Sequence, residues 1–318
     1  KSEVELNGAK APNGNRDSET NNGDLITDAM VWKILQDKES LTVDADHVVA
    51  VTNGGGIRKA INPGDVTKKN INEVLPFGNT VVTIYITGAE LLEALEASTY
   101  CTPDAIGGFP QVSGINYTIS TAVAYDANAE TYPASTYYGP KSINRVTINS
   151  INGKEFKADD TYAVITNDFC GGGGDTYYAF AAATAKFDTG IPLDEVVMEY
   201  ITAELKGVIG AQYAAPQGRI LMNPFKDVKV SSWFGKYVID LYNDGIINGT
   251  SATTYTPDAK LSWAAALKLL LVSHGDLKAV DATGADWSKN TIAKAAELGL
   301  VAADLDGAKA ISRLEFCQ

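Results

Sequence analysis

Apolar residues recur at helical spacing in residues 23–38, which predicts an amphipathic helix there. A short apolar run at 47–52 ends in glycines, a pattern that is typical of a buried strand. A second strand is predicted at 81–86. Directly after it, Thr87 and Glu90 form a capping-box pattern, which predicts that a helix begins at this point.

The remaining patterns continue this mixture of strands and helices. Further strands are predicted at 112–119, 144–151, 162–166 and 218–222, and a further helix at 194–206. Asn152 and Gly153 predict a tight hairpin turn that leads into another strand. Because the elements do not alternate in a steady strand–helix–strand order, the predicted fold class is α+β, with mixed α/β character.

A domain boundary is predicted near residues 223–225. Beyond it, the sequence pattern is typical of helices and a repeat appears. Trp233 precedes Gly245 by twelve residues, and Trp287 precedes Gly299 by the same distance. Each unit then ends in a serine-containing helix start, and the second unit is shorter. The simplest interpretation is a pair of helix–loop–helix units that pack on each other.

The length of 318 residues fits two domains, expected at 1–223 and at 224–318, the second small, all-α and truncated in its second repeat. The formal net charge of −13 argues against a nucleic-acid polymer or an anionic membrane surface as a partner. No apolar run approaches the ~18 residues of a membrane span. Lys1 is not a natural start, so we expect a piece of a longer protein.

Three short motifs each join a glycine bend to a residue with a recognition chemistry. They are Asn53-Gly-Gly-Gly-Ile-Arg58, Pro76-Phe-Gly-Asn79 and Asn167-Asp-Phe-Cys-Gly-Gly-Gly-Gly-Asp175. Arg58 can grip a phosphate through its planar fork of donors, and Phe77 and Phe169 can each offer a ring face to a base. Asn79 can donate to and accept from a base edge, and Asp175 can accept from two ribose hydroxyls. The motifs therefore match three parts of one nucleotide.

Each motif also has a plainer interpretation. Arg58 could be a surface arginine after a tight turn at the end of a strand. Phe77 could be a core side chain, and the four-glycine run could be a flexible linker. Three cysteines, Cys101, Cys170 and Cys317, do not make a disulfide framework, although a single bridge between the first two is conceivable.

The two histidines, His47 and His274, fit no pattern of metal ligands or of a nucleophile with its base. The sequence thus predicts a pocket for a phosphorylated ligand without machinery to break its bond. We expect no catalytic residue, metal site or cofactor in this chain.

The motifs resemble the C-terminal domain of the 5′-nucleotidase family, which comprises periplasmic and cell-surface metallophosphoesterases. The resemblance covers about residues 1–223 and includes the segments 16–28 and 107–111. It implies that this domain recognises the nucleotide, whereas a preceding domain in the same protein binds two divalent metal ions and hydrolyses the ester. The isolated chain is then expected to be inactive.

The resemblance also assigns roles to individual residues. The expected substrate-binding residues are Arg16 and Arg58 for phosphate, Phe77 and Phe169 for the two faces of the base, Asn79 for its edge, Gly107 for close approach to the nucleoside, and Asp175 for the ribose. The sequence departs from the family pattern at Pro12, where some members have a further phosphate-binding arginine, and at Thr176, where glycine is usual.

Residues 224–318 look like S-layer homology repeats, which in that family bind cell-wall secondary polysaccharide. The resemblance rests on Asp244-Gly-Ile-Ile-Asn-Gly249 in the first repeat and on Ile311-Ser-Arg-Leu-Glu315 in the second. Trp233, Trp287 and Arg313 are the expected polysaccharide contacts, although helical spacing favours a core position for at least one tryptophan. A helical spacer without binding activity is the alternative.

Taken together, these features predict the nucleotide-recognition part of a cell-surface, metal-dependent 5′-nucleotidase, anchored to the wall of a Gram-positive-type bacterium. Two alternatives remain open. One is a related 2′,3′-cyclic-nucleotide phosphodiesterase, and the other is a non-catalytic surface-protein module that has lost nucleotide binding.

Overall fold

The computed structural model of the protein describes residues 1–124, 143–279 and 281–316, so Cys317 lies outside the described residues. The chain divides into two compact units, Lys1–Leu221 and Met222–Gln318.

Strands and helices are mixed in the first unit, and helices predominate in the second. The strands are β1 (Val48–Asn53), β2 (Thr80–Thr87), β3 (Pro110–Ser113), β4 (Ile115–Ser120), β5 (Val146–Ile151), β6 (Thr161–Asn167), β7 (Ala185–Pro192) and β8 (Ile220–Asn223). The helices are α1 (Asn21–Leu35), α2 (Lys68–Val74), α3 (Gly88–Ser98), α4 (Asp168–Gly171), α5 (Tyr178–Ala181), α6 (Leu193–Ala203), α7 (Gly235–Asn243), α8 (Trp263–His274), α9 (Trp287–Glu297) and α10 (Arg313–Phe316). The predicted α+β, mixed α/β fold class is confirmed.

Side-chain caps mark the starts of several helices, among them α1 and α3. The Thr20 Oγ1 atom accepts a hydrogen bond of 3.0 Å from the Gly23 amide, so α1 begins at Asn21, two residues before the predicted position. At α3, the Thr87 hydroxyl accepts from the Glu90 amide at 3.2 Å, and the Glu90 carboxylate accepts from the Thr87 amide at 2.8 Å. The predicted capping box is therefore confirmed.

The main sheet of the first unit has five strands in the order β3-β1-β6-β2-β7. Strands β1 and β6 are parallel neighbours, whereas the other adjacent pairs are antiparallel. The carboxyl ends of β1 and β6 consequently meet at one edge, where Asn53 lies opposite Pro110 of β3 and Asn167 lies opposite Val81 of β2. The chain enters or leaves all five strands of the sheet at this edge, which we call the loop edge.

Both faces of the sheet are buried. On one face, Ala50 of β1 and Ile165 of β6 belong to a core cluster that includes Leu25 of α1 and Val197 of α6. Because successive side chains of a strand point to opposite faces, Val49 and its neighbours face the other side, and they are buried as well. Helix α3 packs on β2, α5 and β5. A sheet covered on both faces gives the loop edge a rigid base.

A smaller sheet has the order β5-β4-β8. The strand predicted at 112–119 is in fact two strands in different sheets, because Gly114 has a φ of +77° and interrupts the extended backbone. The turn predicted at Asn152 and Gly153 is present, with φ values of 47° and 75°. The prediction that a further strand follows this turn is wrong, because the chain makes only an isolated bridge between Ile151 and Lys154.

The second unit repeats its local geometry at the 54-residue spacing of its tryptophans. Gly245 and Gly299 end the repeated helices with φ values of 73° and 74°. The hydrogen bonds across these turns also correspond, from the Ile246 amide to the Leu241 carbonyl and from the Leu300 amide to the Ala295 carbonyl, both 2.9 Å. Each repeat therefore ends its helix in the same way.

The two repeats are interlocked at the start of α8. The Ser262 hydroxyl caps this helix by accepting from the Ala265 amide at 3.3 Å. The Trp263 amide donates to the Lys309 carbonyl, and the Ala264 amide donates to the Gly307 carbonyl, each at 3.0 Å. A loop of the second repeat thus supplies acceptors to the first turn of a helix in the first repeat.

Candidate functional site

Two asparagines end the parallel strands at the loop edge. Asn53 is the last residue of β1 and Asn167 is the last residue of β6, and both are buried. The Asn167 Nδ2 atom donates to the Asn53 Oδ1 atom at 3.1 Å and to the Thr52 hydroxyl at 3.0 Å. This pair fixes the positions of the loops that leave the two strands.

Asp175, the expected ribose ligand, is held by the same network. The Asn53 Nδ2 atom donates to the Asp175 Oδ2 atom at 2.7 Å, and Asp175 is only 9 % exposed, with a φ of +52°. Burial raises the pKa of the Asp175 carboxyl, whereas the hydrogen bond from Asn53 and the positive charge of Arg16 lower it; burial has the largest effect and the net direction is upward.

The first glycine loop lies against the segment that carries Gly107. The Gly54 amide donates to the Phe109 carbonyl and the Gly55 amide donates to the Gly107 carbonyl, both at 2.7 Å. A Cβ atom on Gly55 would lie 2.8 Å from the Gly107 oxygen, so a larger residue would separate the loops. A Cβ atom on Gly107 would lie 3.7 Å from the Asp175 carboxylate, so Gly107 borders the same site.

Arg58 and Phe77, predicted from separate motifs, are in contact. The Arg58 guanidinium carbon lies 5.7 Å from the centroid of the Phe77 ring, within the range of a cation–π interaction. The Arg58 Nη1 atom also donates to the Gly55 carbonyl at 3.2 Å. Phe77 is 61 % exposed, so the interpretation of Phe77 as a core residue is wrong.

Phe169 is the second exposed aromatic residue at this edge. It follows Asn167, whose Oδ1 atom accepts from the Cys170 amide at 2.8 Å and so starts the short helix α4. The Phe169 ring is 46 % exposed and lies against the glycine run, because a Cβ atom on Gly174 would be 2.5 Å from it. One role of the glycine run is therefore to make room for this ring, and the linker interpretation is wrong.

Asn79 links the segment of Phe77 to the segment of Phe169. Its Nδ2 atom donates to the Asp168 Oδ1 atom at 2.7 Å, and the same oxygen accepts from the Thr80 amide at 3.2 Å. Asn79 and Phe77 also line one small surface depression. Both phenylalanines are thus attached to segments that a single side-chain pair holds together.

Arg16 approaches the site from the amino-terminal segment. Its carbonyl accepts from the Ile106 amide at 2.9 Å, so it lies beside the loop that carries Gly107. Its charge acts on Asp175, as described above. The Arg16 Nε atom is buried and has no hydrogen-bond partner among the described residues, which leaves one donor unsatisfied.

Six of the seven predicted substrate-binding residues therefore lie on segments that enter or leave the sheet at the loop edge, and Arg16 lies beside one of these segments. The structure adds residues that sequence reasoning did not assign a role: Asn53, Asn167 and Asp168. Each of these residues belongs to one of the glycine motifs and lies at the junction of a strand and a loop. That position in the sequence was the signal that could have identified them.

The two histidines and Cys101 lie away from the loop edge, whereas Cys170 is a buried thiol in the segment after β6. His47 contacts Asp46 at 2.6 Å and Asp160 at 3.4 Å, and His274 contacts Asp276 at 2.8 Å. Cys101 and Cys170 are both unbridged. Across residues 1–124, 143–279 and 281–316, no three His, Cys, Asp or Glu side chains form a group that could hold a metal ion.

In the second unit, the predicted polysaccharide contacts are not brought together. Trp287 is half-buried and lines a groove of about 590 Å³, where the Lys268 ammonium lies 5.7 Å from its ring centroid. Trp233 is 85 % exposed, and Arg313 is exposed at the start of α10. The expectation that at least one tryptophan is a core residue is wrong, because neither is fully buried.

No helix within the described parts of the chain has the length and apolar character needed to cross a membrane.

Comparison with known proteins gives two family matches. The 5′-nucleotidase C-terminal domain matches residues 2–182, and the S-layer homology domain matches residues 224–266. The second match covers the first of the two repeats.

Several curated proteins and solved structures are similar to the first unit. The trifunctional nucleotide phosphoesterase protein YfkN of Bacillus subtilis is 37 % identical over 207 residues, which are 64 % of this chain and 12 % of that protein. The cell wall protein Lmo0130 of Listeria monocytogenes is 32 % identical over 52 % of this chain and 19 % of its own length. A 5′-nucleotidase precursor from Thermus thermophilus has a TM-score of 0.56 and 33 % identity, covering 70 % of this chain and 38 % of that one.

These similarities concern part of each relative, because the chain spans only 12 % and 19 % of the two curated proteins named above. The match to the C-terminal domain nevertheless covers more than half of this chain. The chain therefore belongs to the 5′-nucleotidase family through its C-terminal domain, and an S-layer homology domain follows it.

Proposed function

We propose that the first unit is the nucleotide-recognition part of a cell-surface nucleotide phosphoesterase of the 5′-nucleotidase type. The observation that carries the proposal is the loop edge itself. Residues with affinity for a base, a ribose and a phosphate lie on several segments at this edge. Side-chain hydrogen bonds join the segments after β1, before β2 and after β6.

In this proposal, the base stacks between Phe77 and Phe169. Both rings are exposed although they are apolar, and stacking contributes about 1–3 kcal/mol per aromatic contact. Asn79, beside Phe77, faces the base edge. Two rings and one amide would then give the base apolar contacts and a single polar partner, which is the usual composition of a ligand pocket.

Asp175 accepts hydrogen bonds from the ribose hydroxyls. These bonds would add to the one that Asn53 already donates to a carboxylate oxygen. Gly107 lets the backbone lie close to the sugar. Additional donors to a buried carboxylate favour its charged form, so ribose binding would lower the pKa of Asp175.

Arg58 and Arg16 take the phosphate. Arg58 already lies over Phe77, so a phosphate attached to the stacked nucleoside would be near its guanidinium. The buried and unsatisfied Nε atom of Arg16 is a second donor. Charge-assisted hydrogen bonds from arginine to phosphate are stronger than neutral ones.

Hydrolysis would be supplied by a preceding domain of the same protein, where two divalent metal ions would polarise the ester and activate water. The described residues of this chain do not fit such ions, because they contain no suitable ligand group. The contribution of these residues is to bind and orient the nucleotide.

The comparisons keep two alternatives in view. YfkN is named a trifunctional nucleotide phosphoesterase, and that name is not limited to 5′-nucleotides. A 2′,3′-cyclic-nucleotide phosphodiesterase is therefore kept as the second candidate for the whole protein. The relative described as a cell wall protein is compatible with a surface module that no longer binds nucleotides. Retained nucleoside binding separates this last candidate from the others.

For the second unit, we propose attachment to the cell wall through a secondary polysaccharide, with the protein outside a Gram-positive-type cell. The S-layer homology domain and the cell-wall relative support this. The groove beside Trp287 carries an aromatic face and the Lys268 ammonium, which suit an anionic sugar. A spacer without affinity for the wall is the alternative.

Calorimetric titration of the chain with adenosine and AMP tests the nucleotide site. Affinities in the range of about millimolar to micromolar are expected. Phe169→Ala should lower the affinity for both ligands by about tenfold, because it removes one stacking contact. Phe187→Ala is the matched control, since Phe187 is 64 % exposed on β7 and belongs to no loop-edge segment. Absence of heat with every common nucleoside would overturn the proposal.

A further inference from the structure

The amide of Asn79 is held in one orientation by Asp168. A carboxylate oxygen can only accept hydrogen bonds, so the atom of Asn79 that lies 2.7 Å from it must be the NH2 group. The same Asp168 oxygen is fixed by the Thr80 amide at 3.2 Å, and Asp168 begins helix α4. The Thr80 amide and the start of α4 therefore fix the position of the Asp168 carboxylate in two independent ways.

This anchoring leaves the Asn79 Oδ1 atom as the acceptor that is available to a ligand. Among the described residues it receives no hydrogen bond, and Asn79 is half-buried in the depression that it shares with Phe77. A rotation of the amide by 180° would bring the Oδ1 atom against the Asp168 carboxylate. Two acceptors in contact repel each other, so the rotated form is disfavoured.

We infer that Asp168 is a positioning residue that sets the base preference of the site. By holding the Asn79 amide, it makes the site select a base that presents an exocyclic amino group and disfavour a base that presents a keto oxygen at the same place. This inference rests on the proposed nucleoside site and adds a substrate class to it.

The selection follows from the pairing of donors and acceptors. An amino group donates to the Asn79 Oδ1 atom, whereas a keto oxygen would face another acceptor and leave both unsatisfied. A site that hydrogen-bonds one group discriminates strongly against an analogue that cannot make the bond. If the Asn79 amide were free to turn, it could serve either base equally well.

Adenosine and inosine are suitable probes, because a purine amino group in one is a keto group in the other. Calorimetric titration of the chain should give an adenosine affinity about tenfold higher than the inosine affinity. The quantity of interest is this ratio. General damage to the site lowers both affinities and leaves the ratio unchanged.

Four variants test the role of Asp168. Asp168→Ala should reduce the ratio to less than about threefold, since the amide can then turn. Asp168→Asn keeps an acceptor oxygen and should retain most of the preference. Asn79→Ala should abolish the preference, and the double variant Asp168→Ala/Asn79→Ala should show the same ratio as Asn79→Ala, because Asp168 acts through Asn79.

The possible outcomes are separable. Binding of neither nucleoside by the unmodified chain overturns the proposed function and this inference with it. Equal affinities, or a preference for inosine, overturn this inference alone. A preference for adenosine that persists unchanged in Asp168→Ala also overturns it. If Asp168→Ala does not fold, Asp168→Ser serves in its place, and the ratio of the unmodified chain remains decisive.

Discussion

Asn53 and Asp175 are 122 positions apart in the chain, yet their side chains are joined by a hydrogen bond of 2.7 Å at the loop edge. Both residues are buried, and Asn53 also accepts from Asn167. This contact connects the end of β1 to the end of the glycine run. It also supplies a donor to a carboxylate whose pKa burial has raised.

Asn53→Ala should therefore act on both stability and ionisation. Loss of the donor should raise the pKa of Asp175 further and lower the free energy of unfolding by about 1–3 kcal/mol, because a hydrogen bond to a buried acceptor is lost. Chemical denaturation and NMR titration of the Asp175 carboxyl would measure these effects. In the control Asn72→Ala, an exposed amide that bonds to Asp194 is removed, and a smaller loss is expected.

Arg58→Ala should separate phosphate binding from base binding. We expect about a fivefold to tenfold loss of affinity for AMP, with a smaller loss for adenosine, because the arginine would pair with the phosphate. Lys59→Ala is the control: this neighbouring cation is exposed and pairs with Glu73. Parallel titrations with both ligands would reveal the difference. Equal losses for AMP and adenosine in Arg58→Ala would assign the residue to the base through its contact with Phe77.

Gly174→Ala should displace the Phe169 ring, since the added methyl group would lie 2.5 Å from it. We expect about tenfold weaker binding of adenosine and AMP alike, comparable to the loss of one stacking contact. Gly172→Ala is a control within the same run, where the nearest atom is the Asp168 carbonyl oxygen at 3.2 Å. Similar affinities in the two variants would argue against a stacking role for Phe169.

His47 should make stability depend on pH. The hydrogen bond to Asp46 is the largest influence that raises the His47 pKa above its ordinary value of about 6.5, and Asp160 adds to it. A raised pKa in the folded state stabilises the protein fully below about pH 6.5, and this contribution is lost as pH rises through the raised value.

The comparison variant for this effect is His47→Gln. We expect it to be less stable than the unmodified chain at about pH 5.5, with the difference shrinking by about pH 9. Thermal unfolding across this range is the measurement. His274→Gln, at an exposed position of the second unit, should change stability little at either pH. A constant difference between the His47 variant and the unmodified chain would refute the role of protonation.

Trp287→Ala should weaken sedimentation with purified Gram-positive cell walls more than Trp233→Ala does. Trp287 lines the groove, whereas Trp233 is 85 % exposed outside it. Binding by the unmodified chain is expected to be weak and to disappear when the secondary polymer is stripped from the walls. Equal sedimentation with stripped and intact walls would favour the spacer.

Local patterns in the sequence were sufficient to find the glycine motifs that meet at the loop edge and most of the strands and helices. They found the capping box at Thr87 and the strands that end at Asn53 and Asn167. They could not show that these two strands are adjacent and parallel, because strand order depends on long-range packing. The hydrogen bonds of Asn53 and of Asp168 follow from that order, which is why their roles appeared only in the structure.

The glycine run and the tryptophans show a second limit. The sequence left open that the glycine run is a flexible linker, and it did not show that a Cβ atom on Gly174 would lie 2.5 Å from the Phe169 ring. Helical spacing suggested a core tryptophan, yet Trp233 precedes α7 and Trp287 begins α9. Residues at helix ends are not bound by the periodicity of the helix interior.

The loop that supplies acceptors to the start of α8 has a consequence for modularity. The sequence repeat suggests two independent units. The Trp263 and Ala264 amides nevertheless donate to the Lys309 and Gly307 carbonyls, which belong to the other repeat. Deletion of residues 281–318 would strip these partners from the helix of the repeat that remains. The first repeat therefore depends on the second for two backbone hydrogen bonds, and we expect a splice that separates the repeats to destabilise the start of α8.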